Sequence, residues 1–479
     1  MSKLKIKGGI KLKGEVIVQG SKNEALQIIS ATLLTKEECI IHNVPNIIDV
    51  NNLLNIFKLA GAEIKREKES TDISKQGFDS KNSVIIKCEN INGDFFLSEE
   101  WKSEAGKLRG SITLMGPALA RFGAVAIPTF GGDKIGKRPI DTHINGFVAL
   151  GYIYDGEKLY RSEIDSSYIK HKQEIDAIYK ENSDNWQVSY KNIENQKVKC
   201  ILLEEASVTG TANMLLAASN TKEKLIINNV ACEPYIEQLA TMLNSMGMNI
   251  QGAGTNRIII NNTKEKNFEQ GSLKGVEHRV LSDFLEVASF LALAAITNSD
   301  IFIKGCSVDN LGMTLLPFKK LGINFDVVGD DIHVYNNDEY RVSTYSNGEP
   351  LTIYSEPWPK VSPDILSLLL VAAIQSHGTV LIHEKMYESR LFFTDKLIGM
   401  GAQIILCDPH RAIVVGLNRN KKLQARKMDG PDIRAGMALV IAALSAEGES
   451  VIDNAEQIDR GYENLVERLR ALGADIEKV

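Results

Sequence analysis

The segment Leu465–Ile476 reads LVERLRALGADI. Leu465, Val466, Leu469 and Leu472 recur at helical spacing, and Gly473 follows the last of them. A glycine there suits a left-handed helix C-cap, so the segment predicts a helix that stops on Gly473 and turns into a strand. The pattern returns as LLNIFKLAGAEI around Gly61, HINGFVALGYIY around Gly151 and LATMLNSMGMNI around Gly247. It returns again as LPFKKLGINFDV around Gly322 and DKLIGMGAQIIL around Gly401. Six copies of one helix-to-strand pattern form an internal repeat, and that repeat decides the fold.

A second, more apolar helix precedes each copy. The candidates are 23–34, 108–122, 211–218, 282–297, 363–375 and 433–446. Hydrophobicity on nearly every side marks them as buried helices. Short apolar runs such as CIIHNV, LIINNV, DIFIKG, TVLIHE and SVIDNA link the two helices of a unit as strands. The unit is therefore helix, strand, helix and strand with one or two more strands, which makes the chain α/β. The first two glycine intervals are the longest, so insertions are expected near 65–100 and 154–199. The second of these holds Tyr160, Tyr168, Tyr179, Trp186 and Tyr190, which suit local packing of a surface insertion.

At 479 residues the chain can fill more than one domain-sized core. Its 44% hydrophobic and 24% charged content is ordinary for a globular protein. A net charge of −6 argues against a general nucleic-acid binder. No apolar run reaches the roughly 18 residues of a membrane span, and the start MSKLKIK lacks a secretion signal's apolar segment. The six cysteines form no C-x-x-C pair, so neither a disulfide framework nor a zinc site is expected. These features predict a cytoplasmic enzyme without a metal or other cofactor and without nucleic-acid or membrane partners. Oligomeric state is left open.

The stretch Thr129–His143, TFGGDKIGKRPIDTH, joins three glycines to Asp133, Lys134, Lys137, Arg138, Asp141 and His143. Such a loop suits a lid that closes over an anion. Polar residues also gather at the starts of the buried helices and in the loops before them: Lys22 and Asn23, Arg109, Ser207 with Val208 and Thr209, Asp364, and Asp432 with Arg434. Glu233, Arg390 and Arg460 sit in loops that follow strands. If the buried helices run parallel, their N-termini meet, and their free N–H groups and dipoles favour a phosphate-bearing ligand.

With these motifs in order, the chain resembles the UDP-N-acetylglucosamine 1-carboxyvinyltransferase family over nearly its whole length. The resemblance implies an inside-out α/β barrel of two lobes with three units each. Residues 1–21 plus 281–479 would form the catalytic lobe. Residues 22–280 would form the other, carrying the lid at about 125–140. The implied reaction moves the enolpyruvyl group of phosphoenolpyruvate to the 3′-hydroxyl of UDP-N-acetylglucosamine and releases phosphate, as the first committed step of peptidoglycan synthesis. By position, Lys22, Arg138 and Arg460 would clamp phosphoenolpyruvate, with Arg390 and Arg434 at its carboxylate. Asp364 would be the base for the acceptor hydroxyl, beside Glu233. Asn23, Met386 and Asp364 would face the sugar, Ser207, Val208 and Thr209 the diphosphate, and Arg138, Pro139, Asp141, Thr142 and His143 the uracil. Arg109 and Asp432 would lie nearby.

The family usually carries Cys where this chain has Asp133, which would then be the proton donor. An ordinary carboxyl ionises near 3.9 against about 8.5 for a thiol, so the substrate phosphate and exclusion of water would have to raise it. Insensitivity to the cysteine-alkylating epoxide fosfomycin follows. Two other readings stay open: transfer to another uridine nucleotide, and a catalytically inactive UDP-sugar-binding relative.

Overall fold

All six repeat glycines adopt positive φ, from +86° at Gly322 to +115° at Gly247, a region that side chains with a Cβ disfavour. Each ends its helix and redirects the chain into a strand, as the sequence pattern requires. A second recurrence follows the linking strands. Asn43, Asn229 and Asn454, just past Glu38–His42, Lys224–Asn228 and Glu449–Asp453, share a φ of +57°. Asparagine tolerates this left-handed turn better than most residues. The computed structural model describes residues 2–67, 82–132, 135–161, 187–193, 196–221, 223–262 and 272–479.

Each unit builds its own sheet, giving six among the described residues. Where the set is complete, a strand runs parallel to the strand after the buried helix, and two antiparallel strands finish the sheet. The sheet of Leu351–Tyr354, Thr379–His383, Arg411–Val415 and Gln403–Asp408 shows this order. Two sheets borrow from the N-terminus: Lys13–Ile17 pairs in parallel with Asp300–Lys304, and Lys3–Lys7 lies between Glu449–Asp453 and Asp475–Lys478. Conversely, Glu277–Arg279 returns to pair with Glu38–His42. Three sheets thus draw only on 3–17 and 300–478, and three only on 38–279. Where the chain passes between the two sets, the Ser21 N–H donates to the Leu281 carbonyl at 2.7 Å and Gly20 bridges Ser282. The two crossings lie side by side.

The buried helices are the inside of the molecule. Phe284–Thr297, Pro363–Ala373 and Ile433–Ser445 pack on one another, and all fourteen residues of the first are buried. In the other set, Arg109–Phe122 packs on both Lys22–Ala31 and Val208–Ala217. Sheets cover these helices and none closes into a barrel, which is the inside-out arrangement. The second buried helix opens as a 3-10 segment, Arg109–Leu114, and continues as an α-helix, Met115–Phe122.

Of the expected insertion near 65–100, residues 83–87 are a strand of the unit itself. Phe95, Phe96 and Trp101 pack edge to face behind it, and 68–81 lie outside the described residues. Most of 154–199, including Tyr168, Tyr179 and Trp186, also lies outside them, whereas Tyr160 is buried on the strand Lys158–Arg161.

Candidate active site

Every one of the six buried helices places its first or second residue on one cavity of about 700 Å³. Lys22, Arg109, Val208, Phe284, Asp364 and Arg434 hold these places. Side-chain caps fix five of these helix starts, the one at Arg109 being the exception. Ser207 Oγ accepts from the Gly210 N–H at 3.2 Å, Ser362 Oγ from the Asp364 N–H at 3.3 Å, and Asp432 Oδ1 from the Arg434 and Ala435 N–H groups at 2.8 and 3.0 Å. Lys22, Arg109 and Arg434 are cations at positive helix ends, against the usual dipole preference. Some other group must hold them there.

For Lys22 and Arg434 two carboxylates do so, each serving two cations. Asp49, only 2% exposed, meets Lys22 Nζ at 2.5 Å and Arg460 Nε at 3.0 Å. Asp364 accepts from Arg390 and lies 3.7 Å from Arg434 Nε. Burial lowers the pKa of Lys22; Asp49 opposes the shift while Arg434 and Arg460 add to it. Burial alone would push Asp364 up, but Arg390, Arg434 and Arg138 outweigh it and hold the carboxyl below its ordinary value. Arg138 and Arg109 also line the cavity, and no ion pair engages either among the described residues. Burial and the neighbouring charge of Arg138 push Arg109 down to about 10, so it stays positive at neutral pH. It donates to the Arg138 carbonyl at 2.8 Å and sits over the Phe130 ring. The result is a pocket biased toward anions.

Buried Glu384 shapes the loop that supplies the far wall. It accepts from Ser355 Oγ at 2.7 Å and from the N–H groups of Met386 and Tyr387 at 2.7 and 3.2 Å. That loop presents Met386, Tyr387 and Arg390 to the cavity. The Nε of Arg390 is buried and has no hydrogen-bond partner among the described residues, which leaves a donor for a ligand carboxylate. Glu233, at the N-cap position of Pro234–Met246, has a buried Oε2 in the same condition. Burial pushes its carboxyl up to about 7, against backbone N–H groups that lower it.

The cavity thus brings together Lys22, Asn23, Arg109, Arg138, Pro139, His143, Ser207, Val208, Thr209, Glu233, Asp364, Met386, Arg390, Arg434 and Arg460. Asp141, Thr142 and Asp432 are not on its wall. Asp141 is exposed, Thr142 is buried behind, and Asp432 caps its helix. Asp133 and Lys134 lie outside the described residues. Asp49, Phe284, Trp358 and Tyr387 line the cavity without having been picked out of the sequence. An aspartate in the first turn of Ile48–Leu59 reads as an ordinary dipole partner, and three aromatics read as core, so no local signal marks them. Among the described residues there is no cluster of His, Cys, Asp and Glu able to hold a metal, and no helix long and apolar enough to cross a membrane.

Comparison with known proteins fits this geometry. The profile of the EPSP synthase (3-phosphoshikimate 1-carboxyvinyltransferase) family matches residues 6–469. The chain is 45% identical to the UDP-N-acetylglucosamine 1-carboxyvinyltransferase of Porphyromonas gingivalis over 479 residues, covering 100% of both chains. It is 46% identical to that of Bacteroides thetaiotaomicron over 481 residues, again covering 100% of both. With that of Borreliella burgdorferi it shares 39% over 474 residues, 99% of this chain and 98% of the other. The chain belongs to the enolpyruvyl transferase family, in its UDP-N-acetylglucosamine 1-carboxyvinyltransferase branch. Solved structures share the fold. The enolpyruvyl transferase NikO from Streptomyces tendae matches at a TM-score of 0.76 and 19% identity, over 100% of this chain and 99% of that one. EPSP synthase from Acinetobacter baumannii matches at 0.64 and 16%, over 100% of both.

Proposed function

We infer that the protein transfers the enolpyruvyl group of phosphoenolpyruvate to the 3′-hydroxyl of UDP-N-acetylglucosamine with release of phosphate, the first committed step of peptidoglycan synthesis. The observation that carries this reading is the convergence of six helix N-termini on one cavity, where Asp49 and Asp364 each serve two cations. Full-length relatives that carry the name of this activity support it.

In this reading the 3′-oxygen adds to C2 of phosphoenolpyruvate while a proton goes to C3. Loss of the C3 proton and cleavage of the C2–O bond then expel phosphate. Lys22, Arg138 and Arg460 hold the phosphate, and Arg390 and Arg434 hold the carboxylate. Cations already in place where negative charge develops favour the transition state. Asp364 takes the acceptor's proton. Its arginine neighbours keep it ionised, and a substrate carboxylate that shares them returns basicity to it at that moment. Asp133 is the proposed proton donor to C3. Asn23, Met386 and Glu233 face the sugar, Ser207, Val208 and Thr209 the diphosphate, and Arg138 and Pro139 the uracil. Asp141, Thr142 and His143 shape that end, with Arg109 as a nearby charge and Asp432 as the cap that sets Arg434. We propose lobes of 1–21 plus 281–479 and 22–280, a reading the exchange of strands supports. Both substrates are soluble metabolites, so the site of action is the cytoplasm.

Phosphate release from phosphoenolpyruvate tests the reading, run with UDP-N-acetylglucosamine, other UDP-sugars and UMP as acceptors. Release that needs UDP-N-acetylglucosamine is expected. Release with a different uridine nucleotide alone would change the acceptor, and binding without release would overturn the activity.

A further inference from the structure

Thr209 is the second residue of the helix Val208–Ala217 and lines the cavity. Its hydroxyl oxygen lies 3.1 Å from Nε2 of His143, which is itself buried. The other ring nitrogen, Nδ1, lies 2.9 Å from Nδ2 of Asn213. Two backbone contacts fix which way the Asn213 amide points. Its Oδ1 accepts from the Gly116 N–H at 2.8 Å, and its Nδ2 donates to the Ile112 carbonyl at 2.9 Å. An amide held at both ends has one orientation, so the group facing His143 is an N–H donor.

The consequences run outward along the chain of contacts. His143 Nδ1 must accept, so the ring's single proton sits on Nε2. Burial, with Arg109 adding to it, pushes His143 down to about 3, and the ring is neutral across the physiological range. Nε2–H then donates to the Thr209 oxygen. With that lone pair occupied, the Thr209 hydroxyl hydrogen is left to find an acceptor elsewhere. Among the described residues no acceptor of the protein takes it, and the side chain borders the cavity. Both nitrogens of His143 are committed to the protein, so the histidine reaches a ligand through Thr209.

We propose that Thr209 donates its hydroxyl hydrogen to a diphosphate oxygen of the bound nucleotide, with His143 and Asn213 as positioning residues that aim it. The diphosphate is the acceptor this position favours, because Thr209 lines the cavity together with Val208 and the N-cap residue Ser207, at a helix N-terminus whose free N–H groups and dipole suit an anion. The inference rests on the acceptor being a UDP-sugar.

The test compares Thr209→Val, which keeps the shape and loses the hydroxyl, with Thr209→Ser, which keeps the hydroxyl. Thr209→Val should raise KM for UDP-N-acetylglucosamine by about tenfold, the size of one hydrogen bond to a charged acceptor, and Thr209→Ser should restore it. KM for phosphoenolpyruvate should stay within about twofold. Competition by UDP should weaken in Thr209→Val, while competition by uridine should not. An unchanged KM for the UDP-sugar, or equal weakening of uridine, would overturn the proposal. Independently of turnover, 15N spectra of histidine-labelled protein should show His143 protonated on Nε2, and Asn213→Asp should move that proton to Nδ1 with a similar rise in KM. A wild-type ring protonated on Nδ1 would also overturn it. If wild-type protein fails to turn over UDP-N-acetylglucosamine, the assigned reaction fails instead, and the tautomer measurement still stands by itself.

Discussion

Arg460 Nε lies 3.0 Å from Asp49 Oδ1, joining positions 411 apart in the chain. The same carboxylate holds Lys22, so the first buried helix and a loop of the last unit share one anion. Cations that share a partner repel each other, and the carboxylate between them opposes the burial that lowers the Lys22 pKa while holding both side chains at the cavity.

Asp49→Asn keeps the shape and removes the charge. The substitution should lower kcat/KM for phosphoenolpyruvate by about 10² or more, as expected for disturbing two charge-stabilising cations at once. It also removes an influence that raises the Lys22 pKa, so the alkaline limb of the pH–rate profile should move to lower pH. Steady-state kinetics across pH check both effects.

The fold was legible because its units repeat. Gly61, Gly151, Gly247, Gly322, Gly401 and Gly473 each mark a helix end, and all six take positive φ. The charged residues at helix starts were legible for a related reason, since Lys22 and Arg434 defy the helix dipole and local rules fail where a site is built. Asp49 was not. Its role exists only through Arg460, and a single first-turn aspartate carries no trace of a partner in a distant unit. Phe284 and Trp358, packed 5.8 Å apart, were hidden likewise, because apolar residues on a cavity wall look like core.

Asp364→Asn removes the proposed base and leaves Arg390 and Arg434 without their carboxylate. The expected result is a fall in kcat of about 10²–10⁴, with UDP-N-acetylglucosamine still bound. Single-turnover kinetics and calorimetric titration separate the two.

Glu233 links folding to pH. Burial raises its folded-state pKa to about 7, above that of an unfolded glutamate, so the folded protein holds this proton more tightly. Its contribution is therefore most favourable below the unfolded value and is lost as pH rises toward 7. Glu233→Gln removes that loss. Relative to wild type, the variant should be more stable at pH 8 than at pH 5 by about 1–3 kcal/mol, measured from denaturant midpoints.

The family resemblance implies that Asp133 takes the place of a cysteine that fosfomycin alkylates. Prolonged incubation with the epoxide should leave activity intact, and Asp133→Cys should introduce time-dependent inactivation with a covalent mass increase. The same substitution should raise the pH optimum, since a thiol stays protonated to higher pH than a carboxyl. Mass spectrometry and a pH–rate profile follow the two effects.

The convergence of distant charged groups on a shared ligand is tested most directly by the structure of the protein with UDP-N-acetylglucosamine bound. The 3′-hydroxyl is expected within hydrogen-bond reach of the Asp364 carboxylate, with the diphosphate at Ser207–Thr209. A nucleotide bound outside this cavity, or a 3′-hydroxyl turned away from Asp364, would contradict it.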